Sequence, residues 1–141
     1  MRKLMIAAMA LAIPILPANF AALAQADGVS QAPPGSPTRR AILDGLRPAV
    51  ERRLGRNIEF AVTRIEVEQG WALVIADPQR RGGRPIDASE YFSADDLDHM
   101  DGIEVSAVLR LDNRRWTLVD HRIGATDVWY CNAGPASFLS C

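Results

Sequence analysis

The sequence has no excess of positive charge and almost no lysine. Its 16 basic and 17 acidic side chains give a formal net charge of −1, and Lys3 is the only lysine in 141 residues. Domains that bind nucleic acid normally carry a basic face that neutralises phosphates. The charge balance therefore excludes nucleic-acid binding from the functions we expect.

A hydrophobic run long enough to span a bilayer, about 20 residues, is also missing. The longest apolar stretch covers residues 4–16, and Pro14 interrupts it. Two basic residues precede this stretch and small residues follow it, which is typical of a secretory signal peptide. We expect residues 1–26 to be such a peptide, cleaved after Ala24 or Ala26, and the product to be periplasmic or secreted without a stable membrane anchor.

Cysteine is scarce: Cys131 and Cys141 are the only two, and no C-x-x-C motif is present. In an exported chain the compartment is oxidising, so this pair most simply forms a disulfide near the C-terminus. Closing a loop of this size contributes roughly 2–3 kcal/mol when the geometry is unstrained. A redox or metal-binding pair is the alternative, and no motif in the chain predicts a cofactor.

The rest of the chain reads as a tether and one domain. Residues 27–37 are rich in Pro, Gly and Ser and lack an apolar period, so we expect a flexible tether. Residues 38–141 are enough for a single domain with its own core.

The first element of this domain is predicted to be a helix. Apolar residues recur at intervals of three and four up to Leu54, which is the period of one helix face. Ser36–Pro37 or Thr38 can cap the start, and Gly55 can end the helix. Pro48 removes a backbone donor, so we expect either a kink or a division into two short helices.

Four stretches of alternating apolar residues follow, separated by turn signals such as Gln69–Gly70 and Asn113–Arg114. Their ranges are 58–67, 71–76, 103–111 and 116–124. A phase change near Thr63–Arg64 predicts a bulge in the first of them. Residues 77–102 are expected to form a mobile loop and then one or two helical turns that begin at Ser93 with a capping-box-like pattern.

This order of elements predicts an α+β domain in which the N-terminal helix packs on a curved four-stranded antiparallel sheet, with a cystatin-like outline. With Asn113–Arg114 as the turn, the last two strands have a defined register. It pairs Leu111 with Trp116, Leu109 with Leu118, Val108 with Val119 and Ser106 with His121. The three tryptophans are predicted to anchor the core rather than to line an aromatic ligand-binding pocket: Trp71, Trp116 and Trp129.

Three segments of the chain carry a resemblance: ILDGLRPAV, GWALVIADPQR and VLRLDNRRWTLVDHRIGATDVWY. They are similar to a group of small exported proteins of proteobacteria with a Leu-Arg-Pro helix, a Gly-Trp-Ala strand and a W-x-V-x-x-x-x-I-G-x-T-D-V-x-W ending. The resemblance covers most of the domain and implies a periplasmic or secreted product, but no activity. Tyr130–Cys131 and the terminal Cys141 depart from that pattern.

Reactive side chains are concentrated near the last predicted strand. Neighbours on a strand point to opposite faces, so Asp120 and His121 cannot share a pocket without a bulge. The turn after the strand could instead return Asp127 to His121, and an Asp-oriented histidine is the usual general base. Ser106, predicted opposite His121, would complete a triad-like set. The structural alternative is that Thr126 or Asp127 caps the turn and His121 is a half-exposed strand residue.

Arg80, Arg81 and Arg84 flank a glycine pair in RRGGRP and form the other candidate site. Guanidinium groups suit partners that carry carboxylate or phosphate. The cluster stands apart because the remaining charge excess of the chain is negative. Ordinary surface turns also have this composition.

A cluster of acids around His99 does not amount to a metal site. Its members are Asp95, Asp96, Asp98 and Asp101. Clustered carboxylates attract hard cations, but the glycine and glutamate that an EF-hand loop requires are misplaced. Solvated acids at the start of a short helix are the simpler interpretation, so no metal site is predicted.

Two functional hypotheses follow. The leading one is a non-enzymatic binding or interaction module that presents the arginine loop or the concave sheet face to an envelope protein or an anionic component of the cell envelope. The alternative is a small hydrolase- or isomerase-like enzyme with His121 as base, Asp127 as its orienting partner and Ser106 or Asp120 contributing. The first leads because no nucleophile elbow, second nearby histidine or phosphate loop supports catalysis.

Overall fold

The structure, a computed structural model, describes residues 29–134. Its elements in chain order are β1 (Ser30–Gln31), α1 (Pro37–Leu54), β2 (Ile58–Glu68), β3 (Trp71–Arg80), α2 (Ala94–Asp98), β4 (Val105–Asp112) and β5 (Arg115–Ile123), with 3₁₀ helices at Ala88–Glu90 and Trp129–Asn132. The strands form one antiparallel sheet in the order β1-β2-β3-β4-β5. The predicted α+β class is confirmed, with five strands instead of four.

Several predictions concern segments beyond this range. The predicted signal peptide and Cys141 lie outside the described residues, so the cleavage site and the Cys131–Cys141 disulfide stay predictions. None of the helices in residues 29–134 combines the length and the hydropathy of a membrane-spanning segment.

Helix α1 starts and ends at its predicted capping residues. The Ser36 side chain accepts a hydrogen bond from the Arg39 backbone N–H at 3.2 Å, and Pro37 occupies the first turn, where no donor is needed. Gly55 ends the helix with a φ of 78°, a conformation that glycine adopts without strain. The helix is continuous through Pro48, so the alternative of two short helices is wrong. Pro48 is exposed, and water there can replace the lost backbone hydrogen bond.

The two tight hairpins have the predicted turns. Both central residues of each turn, Gln69–Gly70 and Asn113–Arg114, have positive φ, which is the geometry that two-residue hairpin loops favour. The pairing of β2 with β3 shifts register between Val62 and Arg64. The predicted bulge at this point is therefore confirmed.

A second bulge, in β5, changes the register of the last hairpin. Val119 is left without a partner in this register, and the pairing shifts by one residue beyond it. His121 consequently lies opposite Ala107, and Ser106 lies opposite Arg122. Two predicted pairs are therefore wrong, Ser106–His121 and Val108–Val119. Two pairs on the turn side of the bulge are confirmed, Leu111–Trp116 and Leu109–Leu118.

Helix α1 covers one face of the sheet, which we call the helix face. The main core lies between them and includes Trp116, as predicted. Its largest fully buried side chains are Ile42, Leu46, Leu54, Ile58, Ile65 and Leu109.

The opposite face, which we call the far face, carries a smaller buried cluster of Leu73, Ile75 and Val108. Among the described residues, the side chains packed against this cluster are Trp71, Trp129, Tyr130 and Ala133. Both of these tryptophans therefore pack on apolar neighbours, in agreement with the prediction. The 3₁₀ helix after β5 thus serves as a cover for the middle of the far face.

Two segments predicted to be flexible belong to the fold. Ser30–Gln31 pairs with Glu66–Val67 of β2, and Ala32 is buried in the main core, so this part of the predicted tether is anchored. Strand β3 continues to Arg80, so the predicted mobile loop starts too early. Ser93 begins α2 with the predicted capping box.

Candidate functional site

His121, the predicted catalytic base, lies on the helix face of β5. It is paired with Ala107, whose side chain belongs to the main core, and directly paired residues project to the same face. The half-buried imidazole borders a cleft with Ala49 and Arg52 of α1. The backbone N–H of His121 donates to Oδ1 of Asp120 at 2.7 Å, whereas the ring is hydrogen-bonded to none of the described residues.

The other members of the predicted triad lie on the far face. Ser106 is buried and its hydroxyl accepts a hydrogen bond from Nε1 of Trp129 at 2.6 Å. Asp127 is exposed and lines a cavity of about 410 Å³ together with Ser106 and Glu104. The sheet separates this cavity from His121. The structure therefore does not bring the predicted catalytic residues together, because the β5 bulge moves His121 to the other face.

Burial is the main influence on the charge of His121. It lowers the pKa of the imidazole, Asp120 opposes this effect, and the positive charges of Arg52 and Arg122 add to it. Asp120 also lies 3.8 Å from the guanidinium of Arg122. Asp120 thus influences His121 through its charge and a backbone hydrogen bond, and does not share its pocket.

The far-face cavity is acidic. Glu104 is exposed at its edge. Partial burial and the charges of Asp77 and Asp101 raise the pKa of Glu104, because each added negative charge disfavours ionisation. A cavity with this electrostatic character repels anions.

Arg80 has a structural role that the sequence did not suggest. Its guanidinium donates hydrogen bonds to the backbone oxygens of Leu54 at 2.7 Å and Arg56 at 3.0 Å, and to the Tyr91 hydroxyl at 2.6 Å. The last carbonyls of a helix lack partners within the helix. Arg80 supplies one at the C-terminal end of α1, where a positive charge is also favourable.

The remaining arginines of the loop surround a pocket with Arg56. A cavity of about 410 Å³ is lined by Arg56, Asn57, Arg80, Arg81 and Arg84, and we call it the arginine pocket. Arg56, Arg81 and Arg84 are exposed, and none of them forms an ion pair within residues 29–134. Several unpaired guanidiniums around one cavity favour an anion.

The loop that carries these arginines is anchored at several points. The Arg80 N–H donates to the Arg84 oxygen at 2.8 Å, and the Gly83 N–H donates to the Arg80 oxygen at 3.1 Å. The Gly82 N–H donates to Oε2 of Glu59 at 3.0 Å. Gly82 and Gly83 both have positive φ, which explains the glycine pair between the arginines.

Arg56 and Asn57 were missed as members of this pocket. They precede β2, whereas the loop follows β3, and the pairing of Ile58 with Arg80 brings the two segments together. Because the second strand was predicted to end at residue 76, the sequence did not indicate that Arg80 lies opposite Ile58.

The acids around His99 are used locally. The Asp96 carboxylate accepts from the Ser93 backbone N–H at 3.1 Å and from the Ser93 hydroxyl at 2.8 Å, and these bonds lower the pKa of Asp96. Nδ1 of His99 lies 2.7 Å from the Asp95 backbone oxygen. Within the part of the chain that the structure describes, no three His, Cys, Asp or Glu side chains are grouped so that they could hold a metal ion.

Comparisons with known proteins do not add to this description. No family model, no curated protein and no solved structure matches the chain.

Proposed function

We propose that this protein is a non-enzymatic binding module, periplasmic or secreted, whose arginine pocket holds an anionic group of an envelope protein or cell-envelope polymer. One observation carries the proposal: Arg80 is fixed by three hydrogen bonds, while the other guanidiniums around the same cavity lack ion-pair partners in residues 29–134. The module would have a cystatin-like outline, with its helix laid over the sheet.

The pocket is suited to carboxylate or phosphate. Each guanidinium is a planar donor that can bind two oxygens of either group. The loop that carries Arg81 and Arg84 is anchored by hydrogen bonds of its backbone, so part of the ordering that binding requires is already present. The other version of the binding hypothesis, an open concave sheet face, has less support because α1 covers one face and Trp129 and Tyr130 cover the middle of the other.

A charge-matched pair of variants tests the proposal. We would titrate the protein with poly-L-glutamate and, separately, with polyphosphate by calorimetry, comparing Arg81→Gln/Arg84→Gln with Arg40→Gln/Arg115→Gln. All four arginines are exposed, so both double variants remove the same charge. We expect the loop variant to bind at least about tenfold more weakly than the control, because two charge-assisted contacts are lost.

Two outcomes would contradict the proposal. Equal weakening in both double variants would mean that net charge alone attracts the polymers. Unchanged binding in the loop variant would remove the arginine pocket from consideration. A difference between the two titrants would identify carboxylate or phosphate as the preferred group.

The alternative function, a small hydrolase- or isomerase-like enzyme using His121 with Asp127, has weaker support. The two side chains lie on opposite faces of the sheet, and the Ser106 hydroxyl is engaged by Trp129. A general base needs its partners within hydrogen-bond reach.

A further inference from the structure

A second cavity lies on the helix face, apart from the arginine pocket. It has a volume of about 420 Å³, is widely open to solvent, and is bordered by Ala49, Arg52, Arg53, Phe92, His121, Arg122 and Ile123. We call it the histidine cleft. Cavities of this size hold small organic ligands.

The floor of the histidine cleft is apolar. Ala49 is buried on α1, and Phe92 and Ile123 are half-buried and pack against the main core. An apolar ligand group placed on these side chains would leave water together with the surface it covers. The cleft therefore favours a ligand with a hydrophobic body.

Two guanidinium groups of α1 stand beside this floor. Arg52 and Arg53 are exposed in the last turn of α1, and neither forms an ion pair with any residue between 29 and 134. The guanidinium carbon of Arg53 lies 4.1 Å from the centre of the Phe92 ring. A positive charge is thus held directly over the apolar surface, where it can meet an anionic group of a ligand whose body contacts the ring.

His121 adds a third polar group, and its charge responds to an anion. The charged groups that act on it are Arg52 from α1 and Asp120 and Arg122 from β5. A carboxylate bound beside the imidazole would favour the imidazolium and raise the pKa of His121. By linkage, binding would strengthen as the pH falls.

We propose that the histidine cleft binds a small organic carboxylate with an apolar body, such as an aryl or branched-alkyl acid. Arg52, Arg53 and His121 hold the carboxylate, and the apolar floor of the cleft contacts the body. This ligand class differs from that of the arginine pocket, whose lining within residues 29–134 contains no aromatic side chain. The two sites are independent, and either can fail without the other.

Calorimetry and the ring resonances of His121 test this inference, with phenylacetate as the probe. Phenylacetamide is the uncharged control, and acetate is the control without an apolar body. We expect phenylacetate to bind at least about tenfold more tightly than either, because both the charge and the ring contribute. We also expect tighter binding at pH 5.5 than at pH 7.5, together with a raised pKa of His121 in the complex.

Matched variants locate the site. Arg52→Gln changes an exposed side chain and should retain the fold while weakening phenylacetate about tenfold. His121→Asn should abolish the pH dependence, and Arg40→Gln, which changes an exposed side chain outside both cavities, should leave phenylacetate binding unchanged. Equal affinity for phenylacetate and phenylacetamide, binding insensitive to Arg52→Gln, or no binding up to about 10 mM would each overturn the inference.

Discussion

The two faces of the sheet are built from chain segments of different kinds. The helix face is covered by the 18 residues of α1, and its core takes side chains from four strands and the helix. Within residues 29–134 the far face has a cluster of three buried apolar residues, and the secondary structure packed on it is a four-residue 3₁₀ helix. Stability therefore depends mainly on the helix face, whereas the 3₁₀ helix on the far face is held by a few specific contacts.

Truncating one leucine on each face should show this difference most clearly. Leu46 and Leu73 are 0% and 1% exposed, so the two changes to alanine remove the same buried atoms. We expect Leu46→Ala to cost about 2–5 kcal/mol of unfolding free energy, because α1 and the sheet cannot collapse into the cavity. Leu73→Ala should cost less, since a short 3₁₀ helix can move towards the gap.

Urea unfolding of both variants measures the difference. A cost for Leu73→Ala equal to or above that for Leu46→Ala would show that the far-face cover is as rigid as α1. The inequality between the two faces would then be wrong.

The contact between α1 and the end of β3 should have the next largest effect. Arg80→Gln removes hydrogen bonds to the backbone oxygens of Leu54 and Arg56, and we expect a loss of about 1–3 kcal/mol. Arg81→Gln, one residue further and exposed, is the matched control and should stay within about 0.5 kcal/mol of the unmodified protein. Thermal unfolding of the two variants measures both losses. Equal losses would contradict the helix-capping role of Arg80.

Local signals explain which features of the fold could be predicted. Ser36 and Gly55 bound the helix, Gln69–Gly70 and Asn113–Arg114 form the hairpin turns, and Ser93 starts α2. Each of these features depends on a few residues that are close together in the sequence. Such signals do not depend on tertiary contacts, so they can be read from the sequence.

The bulge in β5 is accompanied by a change of phase in the apolar residues of the strand. Trp116 and Leu118 are even-numbered, Ile123 is odd-numbered, and all three pack in the main core. A strand can place both phases on one face only if it contains a bulge. The same reasoning located the bulge near Thr63, and in β5 it would have placed His121 on the helix face.

Arg80 and Arg56 illustrate what the sequence could not show. Their proximity depends on the register between β2 and β3, and the capping of α1 by Arg80 depends on how the helix lies on the sheet. Both are long-range relations without a local pattern. The candidate sites were therefore predicted as groups of residue types, and their geometry had to come from the structure.

A smaller effect on stability is expected from the hydrogen bond between Trp129 and Ser106, which joins the 3₁₀ helix Trp129–Asn132 to the far face. Trp129→Phe keeps an aromatic ring but removes the Nε1 donor to Ser106, so we expect a loss of about 1 kcal/mol. A double-mutant cycle with Ser106→Ala isolates the pair, with an expected coupling of about 0.5–1.5 kcal/mol. Additive losses would mean that packing alone, without this bond, holds the 3₁₀ helix on the sheet.

The smallest effect concerns the pH dependence of stability on the helix face. The pKa of His121 is lowered in the folded state, chiefly by burial and further by Arg52 and Arg122. The unfolded chain therefore takes up this proton at higher pH than the folded protein, and stability falls as the pH is lowered through the usual histidine range, about pH 7 to 5. Because the ring is only half-buried, solvent screening should keep the change below about 0.5 kcal/mol.

His121→Asn should remove this part of the slope in denaturant unfolding between pH 7 and pH 5. Arg52→Gln should reduce it, and Arg115→Gln, which removes the same charge elsewhere, should not. A steeper slope in His121→Asn would mean that the folded state favours the imidazolium, the opposite of what burial against Ala49 and the neighbouring arginines requires.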